Sequence, residues 1–310
     1  MCAYISENMK ILVTGSSGTI GTALCEELLE EGYEVIGADV KPNKWNEEVN
    51  KITILADLKK IEETTKLPRA DIIIHLAANP RVYKLVLDPI KAKENIDMTF
   101  NILEYSRKKD VRKIILGSSR EVYGNRGMVH SEKDVKLESC ESPYTASKIS
   151  SESLLSAYKE CYDLNYIIFR FSNVYGKYDE SDRVIPLFIE QTLKGEDLVI
   201  YGEEKYLDFT YIDDTLQGVK KAIKSFDKYK NNTYNIAYGE GVSILDSARY
   251  IVNEIGGNND IIIKKSRKGE IMKYVADISK AKKEMGFTPQ IDIEKGLKKT
   301  IAWYKEHLVK

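Results

Sequence analysis

Tyr144 and Lys148 stand four residues apart in the run Ser142-Pro143-Tyr144-Thr145-Ala146-Ser147-Lys148. On a helix that spacing puts both side chains on one face, one turn apart. An ammonium beside a phenol favours the phenolate, so such a tyrosine can act as a base below its usual pKa of about 10. In a chain with 20 tyrosines the spacing recurs by chance, and its weight comes from a second motif. Thr14-Gly15-Ser16-Ser17-Gly18-Thr19-Ile20-Gly21 follows a short apolar run and opens a helical pattern, the context of a dinucleotide loop. Its glycines let the backbone turn tightly against a pyrophosphate, and the helix start offers free N–H groups. The spacing is G-x-x-G-x-x-G rather than G-x-G-x-x-G. Asp39, eighteen residues past Gly21, is placed to accept from a ribose diol and to repel a 2′-phosphate, which favours NAD over NADP. Together these features point to hydride transfer.

The elements that must position them alternate. Lys10–Thr14 reads as a buried strand and Ile20–Glu31 as a helix closed by Gly32. Strands are expected at Tyr33–Asp39, Ile52–Ala56, Asp71–Leu76, Lys113–Leu116 and Tyr166–Arg170, with helices over Pro89–Lys109 and Tyr144–Tyr162. Unbroken apolar strands separated by helices are the mark of a parallel sheet covered on both faces, a Rossmann-like, doubly wound α/β fold. After Gly176 the rhythm breaks. Helices near Val184–Leu193, Asp213–Phe226 and from Ser243, strands at Leu198–Tyr201, Tyr234–Ala237 and Ile261–Ile263, and a last helix ending in Trp303-Tyr304 are expected. We read residues 1–173 with about 209–238 as the NAD-binding domain, and 174–208 with 239–310 as a smaller interleaved domain for substrate.

Bulk properties narrow the partners. The 310 residues carry 47 basic and 48 acidic side chains, without the basic excess of a nucleic-acid binder. No apolar run reaches the roughly 18 residues of a membrane span, and Met1–Lys10 lacks a signal-peptide core. Cys2, Cys25, Cys140 and Cys161 have neither metal nor redox spacing and are expected as reduced, mostly buried thiols. His75, His130 and His307 form no ligand pair. A cytoplasmic protein with no structural metal is the expectation.

The chain resembles the extended short-chain dehydrogenase/reductase family, and within it the NAD-dependent nucleotide-sugar epimerases and dehydratases. The resemblance spans nearly the whole length. It rests on the glycine loop, Ala56-Asp57-Leu58, His75-Leu76-Ala77-Ala78, Asn95, Ser118-Ser119-Arg120-Glu121-Val122-Tyr123-Gly124 and Tyr144-x-x-x-Lys148. It continues through Arg170-Phe171-Ser172-Asn173-Val174-Tyr175-Gly176, Val184-Ile185-Pro186, Asp208–Asp214 and Arg267-x-Gly269-Glu270. The resemblance implies Tyr144 as base, Lys148 as the group that holds the nicotinamide ribose and depresses the tyrosine pKa, and Ser119 as the hydrogen-bond partner of the reacting sugar oxygen. It implies NAD contacts from Gly15, Gly18, Thr19, Ile20, Gly21, Asp39, Asn95, Ala77 and Ala78, with Asp57 and Leu58 at the adenine. For a nucleotide-diphosphate sugar it implies Ser119, Arg120, Asn173, Tyr201 and Arg267, the last neutralising phosphate charge. It also implies a homodimer through the helices near Ile90–Lys108 and Tyr144–Tyr162. His75 reads as a packing residue.

Two departures bear on the reaction. Leu207 replaces an arginine often found before Asp-Phe, with Lys205 as a substitute. Beside Ser119, where 4,6-dehydratases often place Asp-Glu to protonate the leaving 6-hydroxyl and take the C5 proton, this chain has Arg120-Glu121. A guanidinium is a poor proton donor, whereas Glu121 remains available as a C5 base or as a structural residue. The leading expectation is therefore a nucleotide-sugar 4-epimerase, UDP-hexose by default. The alternative is 4,6-dehydration or decarboxylation of a UDP-uronate through Glu121. A catalytically silent NAD-sensing protein is disfavoured, because such relatives tend to lose the Tyr/Lys pair.

Overall fold

The computed structural model describes residues 9–267 and 269–307. Fourteen strands are described: β1 (Lys10–Thr14), β2 (Glu34–Asp39), β3 (Thr53–Leu55), β4 (Ile72–His75), β5 (Lys113–Ser119), β6 (Val129–His130), β7 (Asn165–Phe171), β8 (Asn173–Tyr175), β9 (Leu198–Tyr201), β10 (Tyr206–Tyr211), β11 (Asn232–Ile236), β12 (Gly241–Ser243), β13 (Ile261–Lys264) and β14 (Lys273–Ala276). Seven make one sheet in the order β11-β7-β5-β4-β1-β2-β3, every pair parallel. This is the doubly wound α/β sheet. Alternation along the strands splits the core. Leu12, Ile73, Ile114 and Ile168 pack with Ile102, Leu103 and Leu155 of the helices Ile90–Lys109 and Pro143–Tyr162. Ile11, Val13, Ile72 and Ile115 face the other way, onto the side that holds Leu24 and Leu28 of the helix Thr19–Glu30 and Leu216 and Val219 of the helix Ile212–Lys224. The strand order reverses between β1 and β4, which opens a crevice at their C-terminal ends.

A second sheet, β12-β10-β14-β6 with β8 beside β10, and a parallel pair β13-β9 complete the fold. The expected strand at Ile52–Ala56 begins only at Thr53, because Asn46 caps a helix Glu47–Ile52 by accepting from the Val49 N–H at 3.1 Å. The helix expected to reach Phe226 stops at Lys224, and Phe226–Tyr229 forms a separate turn.

Asp208, fully buried on β10, joins the second sheet to the first. Its carboxylate accepts from the N–H groups of Tyr238, Gly239 and Ala276 at 3.2, 3.0 and 3.2 Å. Its carbonyl accepts from Ser172 Oγ and Asn173 Nδ2 at 2.5 and 2.8 Å. The expectation of mostly buried thiols fails for two cysteines. Cys25 is buried, but Cys140 and Cys161 are exposed, since Cys140 follows a surface turn and Cys161 lies on the outer side of a helix end; Cys2 lies outside the described residues.

Candidate active site

The crevice is built for close approach. Gly15 has φ +74°, and a Cβ there would lie 2.8 Å from the Ala77 nitrogen, while one on Gly21 would lie 2.0 Å from the Gly15 oxygen. The loop closes through Gly18 N–H donating to Gly15 O at 3.0 Å. The helix Thr19–Glu30 has no side-chain cap and no acid in its first turn, so the N–H groups of Thr19, Ile20 and Gly21 and the positive dipole end are left for an anion. Asp39 is fixed by the N–H groups of Ser17 and Lys41 at 3.0 and 3.1 Å, at the end of the strand beside the loop. Val40, Leu55, Ala56, Asp57, Lys59 and Glu63 line a shallow cleft of about 270 Å³, with Val40 and Leu55 62% and 61% exposed, an apolar wall suited to a flat base. Leu58 turns its side chain into the core, so its part in that cleft is through the backbone. These residues fit a dinucleotide.

The next strand ends supply the chemistry. Ser142 accepts from the Thr145 N–H at 3.1 Å and Pro143 takes the first helical position, which starts the helix so that Tyr144 and Lys148 both face the crevice and are both buried. Lys148 Nζ donates to Gly117 O at 2.8 Å and lies 5.8 Å from the centre of the Tyr144 ring. Burial lowers the Lys148 pKa to about 8, opposed by Glu152. Burial also raises Tyr144, opposed by hydrogen bonding from Ser119 and by the charges of Arg183 and Arg120. The pull on the phenol thus comes from a hydroxyl and two guanidiniums, while the Lys148 ammonium is turned onto a carbonyl. Ser119 itself accepts from the Glu121 N–H at 3.2 Å, capping a short turn at Arg120–Tyr123.

Asn95 is buried and faces inward. Its Oδ1 accepts from Asn79 N–H at 2.7 Å, and its Nδ2 donates to Asn79 O and Ser147 Oγ, each at 3.2 Å. It ties the loop after β4 to the Tyr144 helix. His75 is buried between Thr14 Oγ1 and Thr99 Oγ1 at 2.8 and 3.3 Å, a packing residue whose pKa burial lowers to about 3.

Around the opposite wall, Arg120 Nη2 meets Glu121 Oε1 at 2.9 Å and its Nε donates to Asn173 Oδ1 at 3.2 Å. Asn173 Nδ2 also donates to the Asp208 carbonyl at 2.8 Å. Arg267 lies 3.7 Å from the centre of the Tyr201 ring and 4.9 Å from that of Tyr83. Lys205 pairs with Glu270 at 2.5 Å, beside Arg267 at 4.0 Å from the same carboxylate, while Leu207 is buried. The sequence reading missed Arg81 and Arg183. Arg81 pairs with Asp182 at 3.1 Å, and burial lowers its pKa to about 10, with Arg183 adding to the effect and Tyr144 among the groups opposing it. Only the neighbouring Val184-Ile185-Pro186 motif gave a signal for Arg183. The segment carrying it is tied back to the first helix by Lys177 to Glu26 at 2.5 Å and by Thr19 Oγ1 donating to Tyr178 O at 3.3 Å.

Residues 11–237 match the model of the NAD-dependent epimerase/dehydratase family. The chain belongs to that family. It is 32% identical over 318 residues to a UDP-glucuronate 4-epimerase of Thermodesulfobacterium geofontis, with 96% of each chain covered. Among solved structures it is similar to a UDP-glucose 4-epimerase of Thermotoga maritima with UDP-glucose, at 31% identity and TM-score 0.89, covering 97% of this chain and 100% of that one. It is also similar to a dTDP-glucose 4,6-dehydratase of Streptomyces venezuelae with NAD, at 26% identity and TM-score 0.88, covering 96% and 98%. This member is an NAD-dependent sugar-nucleotide epimerase/dehydratase. Among its described residues no helix is long and apolar enough to cross a membrane.

Two outcomes follow from this geometry. Gly15→Ala forces a side chain into a left-handed backbone costing about 1–3 kcal/mol, so NAD affinity by calorimetry should fall about tenfold or more. Lys148→Met removes a buried ammonium whose folded pKa lies below its ordinary 10.5. That burial penalty is fully present below pH 8 and fades between about 8 and 10.5. The cofactor-free variant should therefore be more stable than wild type by about 1–3 kcal/mol at pH 7, with the gain shrinking towards pH 10 in denaturant titrations, while activity is lost.

Proposed function

We propose that this chain is a nucleotide-sugar 4-epimerase, with a UDP-hexose as substrate. The observation that carries this reading is the pair beside Ser119. Arg120 occupies the place where loss of a 6-hydroxyl needs a proton donor, and it is ion-paired to Glu121. Tyr144 takes the proton of the sugar 4-hydroxyl, with Ser119 holding the same oxygen. NAD, which the Gly15–Gly21 loop and Asp39 would hold, would supply the acceptor and then the donor of the C4 hydride, and inversion requires the 4-keto sugar to turn in the pocket between the two. Lys148 keeps a positive charge near that exchange, anchored by Gly117 O. Arg267, braced on Tyr201, and Lys205 face the diphosphate. The cycle consumes no cofactor and needs no acid–base pair at C5 and C6. The Thermotoga relative solved with UDP-glucose supports the choice of a UDP-hexose.

A second reading, 4,6-dehydration or uronate decarboxylation, has Glu121 in its favour. Glu121 is buried and lies close enough to Tyr144 to raise that phenol.

We also propose a homodimer. The helices Ile90–Lys109 and Pro143–Tyr162 lie side by side and leave Phe100, Ala146, Ser153 and Ala157 exposed, small and apolar positions that a second copy would cover.

Incubation with UDP-glucose should give an isobaric product with inverted C4 by mass spectrometry and NMR, whereas loss of water from UDP-glucose, or of carbon dioxide from UDP-glucuronate, would replace this reading with a lyase. Tyr144→Phe should lower kcat about 10²–10⁴-fold, and turnover at the wild-type rate would rule the phenol out as base. Sedimentation equilibrium should report twice the 35.3 kDa chain, and a monomer at micromolar concentration would sink the dimer.

A further inference from the structure

Once C4 of a sugar is a ketone, the hydrogen on C5 is α to a carbonyl and becomes acidic. A carboxylate within reach takes that proton, and the C–H electron pair moves onto the C4 oxygen as an enolate. Return of a proton to either face then scrambles C5. An enzyme that inverts C4 alone must keep nearby carboxylates from doing this, and Glu121 is such a carboxylate, buried two residues from Ser119 and close to Tyr144.

We infer that Arg120 is a specificity-determining clamp that holds Glu121 as an inert carboxylate and so protects C5 of the 4-keto sugar. The inference rests on the epimerase reading and deepens it. Arg120 is itself buried, and it grips Glu121 Oε1 at 2.9 Å through Nη2 and Asn173 Oδ1 at 3.2 Å through Nε. Its remaining Nη1 is buried without a partner. The guanidinium is backed by a cluster of three rings. Its carbon is 5.5 Å from the centre of the Tyr274 ring, Tyr274, His130 and Tyr123 pack mutually with ring centres 5.1, 5.8 and 6.0 Å apart, and Arg170 lies 5.2 Å from the centre of Tyr123. Arg170 is in turn forked onto Glu152 at 3.0 and 2.7 Å. The clamp is therefore joined to the Tyr144 helix through this ring cluster and the Arg170–Glu152 pair. Burial raises the Glu121 pKa, and the Arg120 charge is the largest effect opposing it. Removing that charge makes Glu121 a stronger base in the place where one does harm.

The test uses the NAD-loaded enzyme and UDP-4-keto-6-deoxyglucose in deuterium oxide, with loss of the C5 proton followed by NMR and the C3 proton, also α to the ketone, as internal control. Arg120→Met should exchange C5 about threefold or more faster than wild type, since a stronger base passes part of its gain on to the rate. Exchange at C3 should be unchanged, and adding Glu121→Gln should restore the wild-type rate. Arg120→Lys keeps the buried charge but not the fork and should fall between; if Arg120→Met does not fold, this variant carries the test. Equal C5 exchange in wild type and the Arg120 variants, with the ketone bound, would overturn the clamp and leave the epimerase reading standing. If saturation-transfer NMR shows that wild type does not bind the ketone, the UDP-hexose reading falls and the clamp with it.

Discussion

The ammonium of Lys148 is taken out of water, and much of the site is arranged around that cost. One direct partner receives it, the carbonyl of Gly117 at 2.8 Å, at a point where a Cβ would lie 2.9 Å from Leu76 Cδ2. Glu152, one turn along the same helix, lends it negative charge but is itself held by Arg170 and by Ser118 at 2.5 Å. A free carboxylate there would collapse onto the lysine, and a missing one would leave the ammonium buried alone. The Arg170 fork keeps Glu152 between those extremes, and the same arginine and Arg120 pack on one cluster of aromatic rings. Both walls of the crevice are thus referred to one buried ion pair.

This arrangement explains why polar residues that look dispensable are deeply buried. Asn95 uses one amide to join Asn79 to Ser147, so the loop over the cofactor crevice and the helix bearing the base move as one body. Asp208 does the same between the sheets, with three N–H groups converging on one carboxylate. Burial raises its pKa to about 7, against those three donors and Arg120. Truncating any of these strands donors in the interior, each at a cost of about 1–3 kcal/mol.

Much of this was legible in the sequence where the chemistry is local. The glycine loop, Asp39 and the Tyr144–Lys148 pair follow from spacing along one strand, one turn or one helix, and the parallel sheet follows from apolar runs buried on both faces. What escaped depends on long-range closure. β10 holds a buried carboxylate in Tyr206-Leu207-Asp208-Phe209-Thr210-Tyr211, which spoils any apolar pattern until its N–H donors arrive from residues 238, 239 and 276. The links from Asn95 to Asn79 and Ser147, and from Asn173 to Arg120 and Asp208, join segments remote in sequence. The Arg120–Glu121 contact was hidden for another reason. Adjacent side chains ordinarily diverge on a helix, and only the tight turn capped by Ser119 folds this pair together.

The order of strands also has a consequence for the chain as it is made. β7 is the penultimate strand of the main sheet, and its outer neighbour β11 begins only at Asn232, after the chain has left for the second sheet and returned. At synthesis rates of about 5–20 residues per second, the roughly sixty residues between them take about 3–12 seconds to appear. Throughout that interval the edge of Asn165–Phe171 presents unpaired N–H and C=O groups beside Ile167 and Phe169, an invitation to pair with another nascent chain. The interleaving that builds one crevice from two sheets therefore makes the seventh strand a late closing step, and a ribosome-bound chain is most in need of a chaperone in the stretch before Asn232 emerges.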